Sequence, residues 1–161
     1  MNYKGVPMRR AERACDSLEF LNAIFDEVEV MTVAFHCGEH PYPVPLNFVH
    51  IDGSLYFHCA LEGRKLGCIT HDSRVGFSIF RFLGIDRAKA TTCYQSVCGT
   101  GTAELVTDPA LKQAALAALA AKYESKCTLP VPDTMLAATA VVRIVITSMT
   151  GKRNDRSDVK S

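Results

Sequence analysis

The chain has 161 residues, enough for one domain with its own core and too few for two. Apolar residues make up 48% and charged residues 22%, the balance of a globular domain, which excludes a disordered chain. Eighteen Lys and Arg against seventeen Asp and Glu leave a formal charge of +1, so the broad positive field of a dedicated nucleic-acid binder is missing.

Residues 1–15 hold Lys4, Arg9, Arg10 and Arg13 with Glu12 the one acid, and read as a basic arm ahead of a single domain over 16–151. Asp16 as N-cap, Glu19 three residues on, and Leu18, Leu21, Ile24 and Phe25 at helical spacing predict a helix over about 17–26. A strand follows over Val28–Phe35, ended by Gly38 and Pro41. Asp52-Gly53 between Val44–Ile51 and Ser54–Ala60 is the preferred two-residue hairpin turn. The register of such a hairpin sets Asn47 opposite His58, Val49 opposite Tyr56 and Pro45 opposite Ala60, with Phe48, Phe57, Leu46 and Cys59 on the core side.

A short helix through Leu66 and Ile69 precedes a fourth strand, Val75–Phe80. Tyr94–Val106 reads as a long strand bent at Gly99 and Gly101. The third glycine of a dinucleotide loop is replaced by Glu104 and a strand follows, so the Gly99-Thr100-Gly101 run is no Rossmann motif. Asp108 as N-cap and Pro109 at the first helical position open a helix to about Ser125, with Leu111, Ala115, Leu116, Leu119 and Tyr123 on one face. Pro130 and Pro132 mark a loop, Thr139–Ser148 is the last strand, with Val142, Ile144 and Ile146 on one face, and 152–161 is a loose charged tail. About six strands and two clear helices without strand-helix alternation predict a mainly-β, α+β antiparallel barrel.

No apolar run approaches the roughly 20 residues of a membrane helix. The early charges stand where a signal peptide needs an apolar stretch, so the expectation is a cytoplasmic protein. The seven cysteines, at 15, 37, 59, 68, 93, 98 and 127, are odd in number and form no CxxC pair, which predicts reduced thiols and no zinc ribbon. His36, Cys37 and His40, with His58-Cys59, raise a zinc or haem site, but His36 and Cys37 alternate to opposite faces of a strand and no fourth ligand stands at motif spacing. Gly63-Arg64-Lys65 follows the hairpin strand and is either a phosphate-holding turn or a solvated basic one. Tyr94, Ser96 and Cys98 alternate on one strand face.

The ordered residues Pro41-Tyr42-Pro43-Val44-Pro45-Leu46-Asn47-Phe48, Tyr56-Phe57-His58-Cys59-Ala60, Gly63-Arg64-Lys65 and Tyr94-Gln95-Ser96-Val97 resemble the flavin-binding split-barrel superfamily of pyridoxamine 5′-phosphate oxidase. Within it they are most similar to the branch of the 5-nitroimidazole resistance (Nim) proteins. The resemblance implies a six-stranded antiparallel split barrel with flanking helices that forms a homodimer with FMN at the interface. Val44, Pro45, Leu46 and Asn47 would line the isoalloxazine, His58, Cys59 and Ala60 would lie along the flavin, and Lys65 with Arg64 would hold the phosphate. Tyr94, Ser96 and Val97 would close the site, and His58 is the candidate catalytic residue, donating a proton or holding substrate. The implied function is FMN-dependent reduction of a small, nitroaromatic acceptor. A flavin or haem binder without turnover, or a pyridoxal-phosphate-handling protein, are the other readings. The arginine-rich substrate motifs of the true oxidases are missing.

Overall fold

The first helix, α1, spans Leu18–Glu27 in the computed structural model, which describes residues 8–123 and 129–155. Ser17 caps it, its hydroxyl accepting from the Phe20 N–H at 3.3 Å. Asp16, expected as the cap, instead accepts from the Gly151 N–H at 2.7 Å and ties the arm to the last strand. Leu21, Ile24 and Phe25 are buried as their spacing requires, while Leu18 lies exposed in the first turn.

Strand β1 (Val30–Cys37) does not end at a loop. The chain turns at Gly38, whose φ is +69°, and β2 (His40–Asn47) pairs back along β1 from Cys37↔His40 to Val30↔Asn47. Three prolines fit inside β2 because 41, 43 and 45 share one parity. Proline has no N–H, so Tyr42, Val44 and Leu46 bond to β1 and the prolines turn their backbone groups to the unpaired edge.

Phe48 breaks this ladder. Beyond it β3 (Val49–Ile51) and β4 (Ser54–Cys59) form the expected hairpin, Val49↔Tyr56 through Ile51↔Ser54. Asp52 and Gly53 carry φ of 45° and 71°, the positive pair a type I′ turn requires. The register does not continue to Asn47. β2 is already committed to β1, so Asn47 pairs with Val30, and His58 pairs with Val141 of the last strand.

Helix α2 (Arg64–His71) and strands β5 (Arg74–Asp86) and β6 (Thr91–Leu105) follow. The β6 bend falls at Thr100/Gly101, where its pairing with the last strand shifts register. A side chain on Gly99 would run into the Phe77 ring and the Ser148 carbonyl. Helix α3 (Pro109–Lys122) starts as predicted, the Asp108 carboxylate accepting from the Leu111 N–H at 2.6 Å; Ser125, its expected end, lies outside the described residues. A further short helix, α4 (Asp133–Ala138), precedes β7 (Ala140–Asn154). Lys152–Asn154 are therefore strand, paired with Tyr94–Ser96, and not the start of a loose tail.

The described strands form one antiparallel sheet of seven, ordered β2-β1-β5-β6-β7-β4-β3, against the six expected, because the run read as one strand over Val44–Ile51 is divided at Phe48. The sheet curls until β2 approaches β4, a split barrel flanked by helices. Its interior packs Met31, Val33, Phe35, Phe57, Ile79 and Val97 against α1 and α2. Each such aromatic or aliphatic side chain contributes about 1.5–3 kcal/mol of burial. A second cluster lies outside the barrel, where α3 covers Val49, Tyr56 and Val141 with Ala115 and Leu119.

The thiol expectation fails for one pair. Cys37 at the end of β1 and Cys68 on α2 form a disulfide, with Cα atoms 5.0 Å apart. The fold brings together two residues that chain spacing keeps apart. Cys15, Cys59, Cys93 and Cys98 are free.

Candidate functional site

Strand β4 ends at Cys59, and four residues later Gly63, at φ +136°, starts α2. Gly63 has no side chain to cap the helix, so the first-turn N–H groups of Arg64 and Lys65 point outward without an intrahelical acceptor. A helix start of this kind attracts anions, and here two cations stand in its first turn. The Arg64 guanidinium lies 4.4 Å from the Tyr42 ring centroid, a cation–π contact that fixes it beside β2. Tyr42 was not among the sequence-derived site residues; its spacing to Val44 and Leu46, on the same strand face, is the signal that marks it. Lys65 reaches the end of β4. Burial pushes the Cys59 thiol up, and the nearby Lys65 ammonium is the charge that opposes the shift. The shift disfavours the thiolate, which is the nucleophilic form.

Val44 and Leu46 point inward against the core, whereas Pro45 and Asn47 are exposed on the outer face of β2. The Asn47 side-chain amide donates to the Glu29 carbonyl at 3.3 Å. His58 is exposed between Phe57 and Cys59, which both face the barrel core, so its imidazole also points outward. Asn47 and His58 thus share the barrel's outer surface on separate ladders, without the cross-strand pairing that hairpin register implies. Ala60 is exposed just past β4.

Tyr94, Ser96 and Cys98 do share the outer face of β6, opposite Phe82, Phe80 and Ser78 of β5. Tyr94 stacks on Phe80 with ring centroids 5.8 Å apart. Val97 does not join them: it points into the barrel and is fully buried, with no side-chain atom to offer a ligand outside. The outer face carries an exposed apolar patch that sequence reading missed, with Phe80 52% and Phe82 60% exposed. Among the described residues no three His, Cys, Asp or Glu side chains converge as a metal site, and Cys37 is drawn away from His36 and His40 to Cys68.

A model of the pyridoxamine 5′-phosphate oxidase family matches residues 18–153. The chain belongs to that family. No curated protein matches it. Among solved structures it is similar to the flavocytochrome Anf3 from Azotobacter vinelandii, at TM-score 0.82 and 21% identity, over 99% of this chain and 78% of that one. The FAD and haem binding protein from Mycobacterium smegmatis gives TM-score 0.77 and 21% identity over 92% and 77% of the two chains. A candidate 5-nitroimidazole antibiotic resistance protein from Bacteroides thetaiotaomicron gives TM-score 0.73 and 21% identity over 86% and 85%. These likenesses establish the shared split barrel. Among the described residues no helix is long and apolar enough to cross a membrane.

Proposed function

We propose that the protein is a homodimeric FMN-binding oxidoreductase that passes electrons to a small, nitroaromatic acceptor. The observation that carries this reading is the start of α2, a glycine-led helix N-terminus with Arg64 and Lys65 in its first turn, set against the end of β4. Unpaired N–H groups, a point charge and a held guanidinium fit a phosphate monoester. Lys65 would neutralise that phosphate, and Arg64, braced on Tyr42, would fork onto it. The outer edge of β2, from Pro45 to Asn47, leads away from this anion site and gives the ring of the cofactor a flat wall. His58, outward on β4, would hold or deliver a proton to a bound acceptor. A bound flavin would supply the redox chemistry itself. The Phe80, Phe82 and Tyr94 face supports a second copy as the remaining wall, since exposed aromatic clusters of this kind mark interaction surfaces.

The test is the absorption spectrum of the protein as isolated and titrated with FMN and with FAD. The expected result is flavin absorption and tighter retention of FMN. Lys65→Ala should weaken FMN about 10- to 100-fold, the loss of a charge-assisted contact worth about 1.5–3 kcal/mol. A colourless protein that takes up neither flavin refutes the proposal, and a Soret band in place of flavin absorption replaces it with a haem-binding reading. Anaerobic reoxidation of the reduced flavoprotein by a 5-nitroimidazole tests the acceptor; no reoxidation removes that part.

A further inference from the structure

Phe48 is the corner residue between two ladders, since β2 before it pairs with β1 and β3 after it pairs with β4. A corner of this kind leaves its peptide groups without strand partners, and buried peptide groups need them. Both groups of Phe48 face one side chain, 75 residues away in sequence. The Phe48 N–H donates to the Tyr123 hydroxyl at 2.9 Å, and the Phe48 carbonyl lies 2.9 Å from the same oxygen. That hydroxyl donates its proton to the Glu29 carbonyl at 2.5 Å, and the Asn47 side-chain amide reaches the same carbonyl at 3.3 Å. Next to it, the Lys122 ammonium donates to the carbonyls of Phe25 at 2.7 Å and Val28 at 2.9 Å, at the end of α1, and sits 3.8 Å from the Phe48 ring centroid. The last turn of α3 thus grips the Glu29 and Phe48 junctions at once.

The peptide between Asn47 and Phe48 carries the Asn47 carbonyl and the Phe48 N–H, which point in opposite directions in a trans peptide. Fixing that N–H on Tyr123 aims the Asn47 carbonyl the other way. By the parity of the prolines, this is the unpaired edge of β2, and the Asn47 N–H on that edge is the first donor after Pro41, Pro43 and Pro45. We infer that Tyr123, with Lys122, is a positioning residue for the cofactor edge of β2, setting the direction of the Asn47 backbone groups without touching the ligand. The inference rests on the flavin-binding reading above and assigns α3 a role in that site.

The test is Tyr123→Phe, which keeps the ring and removes the hydroxyl. FMN affinity, the visible circular dichroism of the bound flavin, thermal stability, and amide exchange at Phe48 in the cofactor-free protein are measured together. Ile24→Val, a core truncation inside the barrel, serves as a control for lost stability alone. The expected result is at least a tenfold weaker FMN complex with altered flavin dichroism, and faster exchange at Phe48, while Ile24→Val keeps wild-type affinity and dichroism. Lys122→Gln carries the same expectation in smaller measure and serves if Tyr123→Phe does not fold. Wild-type affinity and dichroism in both folded variants would overturn the positioning role alone, as would an equal loss in Ile24→Val at matched stability. Failure of the wild type to take up flavin would instead refute the reading on which the role rests.

Discussion

Opening the Cys37–Cys68 bond should cost the fold a large part of its stability. The two residues are 31 apart in sequence and their Cα atoms are 5.0 Å apart, within the ordinary range for a disulfide. Cross-linking a loop of this length removes about 3.5–4 kcal/mol of chain entropy from the unfolded state. For a domain of this size each kcal/mol shifts the melting temperature by about 2–4 °C, so reduction or Cys37→Ser should lower it by about 7–15 °C. The loop that the bond closes contains β2, β3, β4 and the first turn of α2, with Asn47, His58, Arg64 and Lys65 among its residues. Scanning calorimetry with and without dithiothreitol measures the stability term. Alkylation in denaturant without reductant, followed by peptide mapping, checks the pairing. Modification of both cysteines by that procedure, or melting temperatures that agree with and without reductant, would refute the reasoning.

Four other perturbations read separate parts of the structure. The His50 Nε2 is buried without a hydrogen-bond partner among the described residues, and desolvation, partly opposed by Asp26 and Asp52, holds the imidazole pKa below its ordinary value. The unfolded chain then binds the proton more readily, so His50 adds stability that is present above about pH 6.5 and lost as the pH falls; His50→Leu should flatten urea midpoints between about pH 5 and 7, and an unchanged slope would exclude it as the source. Burial lowers Lys122 to about 8, so its ammonium penalises the fold at neutral pH and stability should rise as the pH climbs from about 8 towards 10.5, a slope that Lys122→Met should remove. Gly99→Ala drives a methyl into the Ser148 carbonyl and the Phe77 ring and should cost about 1–3 kcal/mol in urea unfolding, where a loss below about 0.5 would mean that the β6–β7 contact yields. Phe82→Glu, placing a charge on the exposed sheet face, should shift sedimentation from dimer to monomer with the circular dichroism unchanged, whereas a dimer that survives would place the interface elsewhere.

The elements legible in the sequence are those whose signal is local and chemically forced. Asp52-Gly53 requires two positive φ angles that few residue pairs adopt, and Asp108-Pro109 offers a cap and a residue with no N–H where none is needed; both stand where they were read. Gly99 and Gly101 mark the bend of β6 because no side chain fits there. The Gly38 turn was hidden by Pro41, read as a stop when proline is compatible with an edge strand if every proline has the same parity. Positions 41, 43 and 45 do, and that alternation is the signal that was available.

For the candidate site, adjacency alone marked Gly63-Arg64-Lys65 as either a phosphate-holding or a solvated basic turn, because a glycine before two cations is a local pattern. The relation between Asn47 and His58 was not, because hairpin arithmetic assumes that a strand keeps one partner throughout. Whether it does is settled by competition: β1 offers β2 eight paired positions, from Cys37↔His40 to Val30↔Asn47, and the β4 ladder holds β3 for three. The longer ladder wins up to Asn47, and the change of partner falls on Phe48, the residue whose N–H is met from the end of α3. Neither the disulfide nor the Tyr123 contact has a local trace, since each joins residues that only the closed barrel brings together. The corner at Phe48 is consequently the point where chain-local reasoning ends, and it is also where the wall of the proposed site takes its direction.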